Sequence, residues 1–253
     1  MLDDDNSAIE DIANLVSLDP SMASKLLKLA NSPLFRFRSQ IDSLTKAVNV
    51  IGGEALYNLV MAETASSAFQ HFANDEIDLH KFWKQSVLTG LIAKHLAKLS
   101  RIRGSERFFL LGLLHNLGEL VVAKQDPSQA KLCLAFDEKN SPWKTQKQIL
   151  GFTFADCTAE ILKLWHLPTQ LPSPIEFVHD ENKALSNKEV AIVFTALRVA
   201  AALVNEDIYA PKALINAVVL ENAGLDEELL DDAVNYAQME ASKLLAIMYP
   251  GAA

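Results

Sequence analysis

The stretch 108–122, running from Phe108 to Val122, is apolar on every side of a helix, and such an element must sit in the middle of a fold with other helices packed around it. His115 and Asn116 lie at its centre. An imidazole and an amide placed there need partners, since a buried polar group left unpaired costs about 1–3 kcal/mol. The pair therefore marks the part of the chain where chemistry or recognition is to be sought.

Elsewhere apolar residues recur at three- and four-residue spacing, and no run alternates β-branched and polar residues between turns, so the chain is predicted to be all-α. A first helix is expected over 7–18. Asp19 and Pro20 then form an N-cap with proline in the first turn, opening a helix that stops near Ser32 and Pro33. Ser43 caps the next helix, Gly52 and Gly53 close it, and a longer one covers 54–72. The polar link 73–76 divides the chain into an N-terminal helical lobe over 1–73, a second lobe over 74–206, and C-terminal helices over 207–253 packed on that second lobe. In the second lobe Asp78 caps a helix that buries Phe82, Trp83, Val87, Leu91 and Leu96, and Ser105 caps the 108–122 helix. Further helices are expected over 127–138, 142–150, 155–165, 168–178, 187–204, 211–222 and 226–249.

Composition removes several function classes. A formal net charge of −9 argues against a nucleic-acid partner, which needs a basic face. No apolar run reaches the roughly twenty residues of a membrane span, and the acidic opening Asp3-Asp4-Asp5 is the opposite of a secretory leader, so a cytoplasmic protein without a membrane partner is expected. Cys133 and Cys157 lack the spacing of zinc or redox motifs and are read as small packing residues. Gly52-Gly53 has no following Lys-Ser/Thr, which excludes a nucleotide-binding loop, and no serine sits in a strand-turn-helix elbow.

Two stretches carry a family resemblance. The segment 18–35, with Asp19-Pro20, Leu26-Leu27-Lys28-Leu29-Ala30-Asn31-Ser32-Pro33, and the following 41–53 resemble the N-terminal half of HDOD domains, the HD-related output domains of bacterial signalling proteins. The helix with Phe82-Trp83, followed by Gly112-Leu113-Leu114-His115-Asn116-Leu117-Gly118-Glu119-Leu120, resembles their degenerate HD half. The resemblance spans about 9–205 and implies a two-lobed helical bundle with an HD-like helical core and a role in signal output. In the HD phosphohydrolase superfamily a His-Asp pair binds a divalent metal. Here Asn116 follows His115, Gln85 and Phe154 stand where histidines are common, His179 is one histidine of a frequent pair, and helix 189–204 contains no aspartate. A neutral amide oxygen is a poor substitute for a carboxylate on a hard cation.

The resemblance therefore implies remnants of a dismantled site at Gln85, His115, Asn116, His179 and Asp180, with no catalytic residue, metal or cofactor. His115 and Glu119, four apart, read either as part of a metal site or as a buried histidine bonded to Asn116 or a facing helix, with Glu119 at the helix exit; two ligands on one helix do not hold an ion, which favours the second. Segment 94–107 carries a formal charge of +4, and Arg101, Arg103 and Arg107 suit either a phosphorylated small ligand or acidic partner, or the carbonyl end of the preceding helix. Arg36 and Arg38 flank Phe37 in a second, smaller basic cluster. The expected function is a non-enzymatic signal-transduction module with a protein partner. The alternatives are a metal-dependent phosphohydrolase or phosphodiesterase and a nucleotide-sensing regulatory module.

Overall fold

The computed structural model of the chain describes residues 16–32, 34–35, 40–69 and 77–249, and among these residues all regular structure is helical. The expected helix 7–18 falls outside them except for its last residues, as do Arg36, Arg38 and the link 73–76. Helix starts follow the caps written in the sequence. Asp19 accepts from the N–H groups of Ser21 and Met22 at the head of α1 (Pro20–Ala30), and Ser43 accepts from Lys46 at the head of α2 (Leu44–Ile51). Gly52, at φ 86°, ends α2 and leads into α3 (Gly53–Phe69).

The second half is built around α4 (Leu79–Leu99), whose Asp78 cap accepts from Lys81. Against it pack α5 (Arg107–Leu114), α12 (Lys188–Val204) and α14 (Glu227–Met248). Between them run α6 (Leu117–Gln125), α7 (Pro127–Cys133), α8 (Pro142–Leu150), α9 (Phe154–Leu164), and the short α10 (Pro172–Glu176) and α11 (Glu181–Ser186). The short α13 (Ala217–Asn222) precedes α14. One hydrophobic core joins Val16, Leu26 and Leu56 of the first half to Leu91, Phe108, Val193 and Leu244 of the second. Tyr249 stacks on Trp83 with ring centroids 3.9 Å apart, fixing the end of α14 on α4. Lys94, nearly fully buried on α4, reaches the Leu34 carbonyl at 2.5 Å and Glu106 at 2.5 Å.

Three sequence expectations are corrected. The 108–122 stretch is two helices, broken at His115 and Asn116, where Asn116 leaves helical geometry at φ −112°, ψ 14°. Each half is held by its own neighbour. A Cβ on Gly112 would lie 2.3 Å from the backbone nitrogen of Gly90 in α4, and one on Gly118 would lie 2.2 Å from the carbonyl oxygen of Phe154 in α9. The Gly118 N–H, unpaired in the first turn of α6, donates to Thr158 Oγ1 at 2.8 Å. Ser105 is not a side-chain cap: the chain enters α5 through three-residue turns, Phe108 N–H donating to the Ser105 carbonyl, with Glu106 already in helical geometry. The segments expected over 168–178 and 211–222 form helix only over Pro172–Glu176 and Ala217–Asn222, the second starting where the Asn216 side chain accepts from Val218 and Val219.

Candidate functional site

The break between α5 and α6 opens onto a cavity of about 290 Å³. His115 and Asn116 from the break and Glu119 from α6 line one part of it, the Asp78 cap with Lys81, Phe82 and Gln85 of α4 another, and Phe136 ahead of α8, Trp143 and Gln146 of α8, His179 after α10, and Ala201 and Asn205 at the end of α12 are among the rest. Four of the five predicted remnants, Gln85, His115, Asn116 and His179, thus converge. The fifth does not. Asp180 is exposed, caps α11 by accepting from Lys183 N–H at 3.0 Å, and faces a broader outer groove with Lys144, Lys147 and Asp156. Its carboxylate is spent on starting a helix because the chain turns away from the cavity right after His179.

His115 is 1% exposed. Its Nδ1 lies 2.5 Å from the Gly112 carbonyl, which can only accept, so Nδ1 carries the proton and Nε2 holds a lone pair with no partner in the protein. Burial pushes this imidazole down to about 4, against the Gly112 bond that favours protonation. The histidine therefore bonds its own helix rather than Asn116 or a facing helix. The Asn116 amide donates to Glu119 instead. Glu119, expected at the helix exit, is a buried cavity acid whose carboxyl is raised to about 7 by burial, while the Asn116 bond and Lys81 act in the opposite direction. His179 stacks on Trp143, centroids 4.9 Å apart, and burial, with Arg198, His115 and Lys147 nearby, holds it well below the usual imidazole range.

Helix α12, on which the resemblance puts the closing aspartate of an HD-type site, holds no aspartate and carries a buried cation, Arg198. Arg198 is 5% exposed, donates to the carbonyls of Val178 and Phe194 at 3.2 Å each, and lies over the rings of Trp143 and Phe194. Burial lowers it to about 9. Phe154 is fully buried in the core. A divalent ion of the HD type does not fit this donor set: among the described residues no three of His, Cys, Asp and Glu are placed to hold one, the amide beside His115 is turned to Glu119, and a guanidinium stands behind the cavity wall. Trp143, Arg198 and Asn205 escaped sequence reasoning. A lone arginine inside the apolar run 190–202 was the signal available for one of them.

Asn116→Asp replaces the donor to Glu119 with a second carboxyl, and two facing carboxyls share one proton. The variant is expected to lose about 2 kcal/mol at pH 8, where both ionise, and less at pH 5. Urea unfolding at the two pH values measures this; equal stability to wild type at pH 8 contradicts the burial of the pair.

The basic segment is partly committed to the fold. Arg107 ion-pairs with Glu189 and lies over the Phe108 ring, and Lys94 is buried, whereas Arg101 (φ 57°) and Arg103 are exposed on the loop leading into α5. Of the other histidines, His95 pairs with Asp232 at 2.8 Å and packs on Tyr236, and His166 takes φ 54° after α9. Among the described residues no helix is long and apolar enough to cross a membrane.

An uncharacterized protein of Treponema pallidum (strain Nichols) is 30% identical over 178 residues, which make up 68% of this chain and 34% of that protein. The chain thus spans about a third of that relative's length. Among solved structures, an HDOD domain protein of unknown function from Geobacter sulfurreducens superposes with a TM-score of 0.75 at 20% identity, covering 98% of this chain and 89% of its own. A candidate phosphohydrolase from Shewanella amazonensis SB2B gives 0.74 at 24% identity, covering 97% and 90%. A candidate signal-transduction protein from Marinobacter aquaeolei VT8 gives 0.71 at 24%, covering 96% and 55%. These structures share the helical fold, and the HDOD domain matches residues 1–181, well over half of the sequence: the chain belongs to the HDOD domain family.

Proposed function

We propose that this HDOD protein is a non-catalytic signal-transduction module that works by binding, in the cytoplasm, with a signalling protein as its partner. The observation that supports this most is the fate of the metal-bearing positions. Asn116 is hydrogen-bonded to Glu119, Arg198 is buried on the helix that needs an aspartate, and Phe154 is core. Such a site has neither the charge nor the converging ligands to activate water against a phosphoester. The relatives' descriptions divide between signal transduction and phosphohydrolase activity, and each applies to those proteins. For this chain the purified protein is expected to hold well under one equivalent of divalent metal and to release no phosphate from phosphomonoesters or cyclic dinucleotides with added Mn2+ or Mg2+. Elemental analysis and a phosphate-release assay check this; near-stoichiometric metal with turnover establishes the hydrolase reading in its place.

The exposed Arg101 and Arg103 suit an acidic partner surface in a protein of net charge −9. Replacing both with alanine is expected to weaken partner capture, most at low salt, with the melting temperature within a degree or two of wild type. Arg107→Ala, by contrast, breaks the pair with Glu189 and is expected to lower the melting temperature by several degrees. Pull-downs and melts on the same variants separate the two roles, and capture that ignores Arg101 and Arg103 removes this loop from the interface.

A further inference from the structure

The cavity beside His115 presents hydrogen-bond acceptors whose orientation the backbone locks. His115 gives its Nδ1 proton to the Gly112 carbonyl, which leaves the Nε2 lone pair unpartnered. Asn205 repeats the arrangement at the end of α12: its amide nitrogen donates to the Ala201 carbonyl at 2.7 Å, so the Oδ1 acceptor is the free end, and it too has no partner in the protein. Both side chains are nearly fully buried, His115 at 1% and Asn205 at 2% exposure. Glu119 adds a carboxyl to the same lining. Apolar rings of Phe82 and Phe136 face the cavity from separate elements. The cationic groups give no anion site: Lys81 is balanced in the lining by Asp78 and Glu119, and the Arg198 guanidinium is tied to two backbone carbonyls and lies over Trp143 and Phe194.

Resting on the binding reading above, we propose that this cavity takes an uncharged planar nitrogen heterocycle, a nucleobase or nucleoside without its phosphate, whose N–H groups donate to His115 Nε2 and Asn205 Oδ1. Locked acceptors in a buried pocket discriminate strongly for a ligand that supplies the matching donors, since any other occupant leaves them unpaired. A phosphate ester places oxygen acceptors against acceptors and brings further negative charge to a lining whose one lysine, Lys81, already shares it with the carboxyls of Asp78 and Glu119. A volume of about 290 Å³ suits a ligand of this size rather than a dinucleotide.

The full chain is titrated calorimetrically with adenine, guanosine, adenosine and cytidine and with the corresponding 5′-monophosphates. At least one base or nucleoside is expected to bind about tenfold or more tightly than its monophosphate. Asn205→Leu removes one acceptor and Ala201→Leu fills space in the cavity without touching a polar group; each is expected to reduce that binding at least tenfold. If Asn205→Leu fails to fold, Ala201→Leu alone decides. Tighter binding of the monophosphates, no binding by any probe, or binding that survives Ala201→Leu each overturns the proposal. None of these outcomes touches the non-catalytic reading, which falls only to metal and turnover in the wild-type protein.

Discussion

Glu119→Gln is expected to stabilise the protein by up to about 3 kcal/mol at pH 7 and above, with the gain shrinking toward zero near pH 4. The carboxyl is raised from 4.5 to about 7 because burial disfavours its charge. A folded-state value above the unfolded one means that the folded protein keeps the proton longer, so stability falls as pH rises from about 4.5 to about 7, by roughly 1.4 kcal/mol for each pH unit crossed. Glutamine retains an oxygen for the Asn116 amide and carries no charge to desolvate. His115 works in the other direction. Its value falls from 6.5 to about 4, so below pH 6.5 the unfolded chain takes up a proton that the folded chain refuses, and stability is lost as pH falls toward 4. His179, also held well below the usual imidazole range, adds a slope of the same sign as His115. Between about 4.5 and 6.5 Glu119 therefore offsets only one of the two histidine slopes, so urea unfolding across pH 4.5–8 should show stability falling below pH 6.5 in wild type and about twice as steeply in Glu119→Gln. Parallel profiles for the two proteins rule out a buried Glu119.

Gly112→Ala should be severely damaging, costing about 3 kcal/mol or more and lowering the melting temperature by roughly 6–12 °C. The added Cβ meets the Gly90 nitrogen at 2.3 Å and its Cα at 2.4 Å, and backbone atoms cannot turn aside as a flexible side chain can. To admit the methyl, α5 must move off α4, and every buried side chain along that seam loses contact with it. Gly151→Ala is the matched control. It has open space around the new Cβ but a φ of 81°, so its cost is that of left-handed backbone alone, about 1 kcal/mol. Thermal melts of the two variants compare packing with conformational strain; equal losses mean that the α4–α5 seam is not close-packed at these glycines.

Residues whose neighbours in the chain decide their role are legible in the sequence itself. Asp19 with Pro20, Ser43 and Asp78 are local devices, each an oxygen that meets an N–H two or three residues on, and each starts its helix as the spacing predicts. The all-α architecture, the burial of Phe82, Trp83 and Leu91, and the convergence of Gln85, His115, Asn116 and His179 belong to the same class of readable facts, the last through family resemblance. What failed were inferences that needed knowledge of the facing element. An unbroken apolar run reads as one helix, and no pattern within 108–122 says that Gly112 and Gly118 answer to two different neighbours that part the chain at Asn116. Asp180 and Glu119 differ little as symbols, yet one caps a helix in solvent and the other is buried in the cavity, because the fold turns one outward and the other inward. Sequence alone determined the all-helical class, the caps at Asp19, Ser43 and Asp78 and the polar pair at the centre of the molecule, since these follow from periodicity and short-range hydrogen bonding. Only the tertiary structure decided which acceptors of that centre remain free, that Arg198 is buried against backbone carbonyls and aromatic rings, and that Arg107 belongs to the fold while Arg101 and Arg103 face solvent, because each depends on groups distant in the chain or on which side of a helix meets the core.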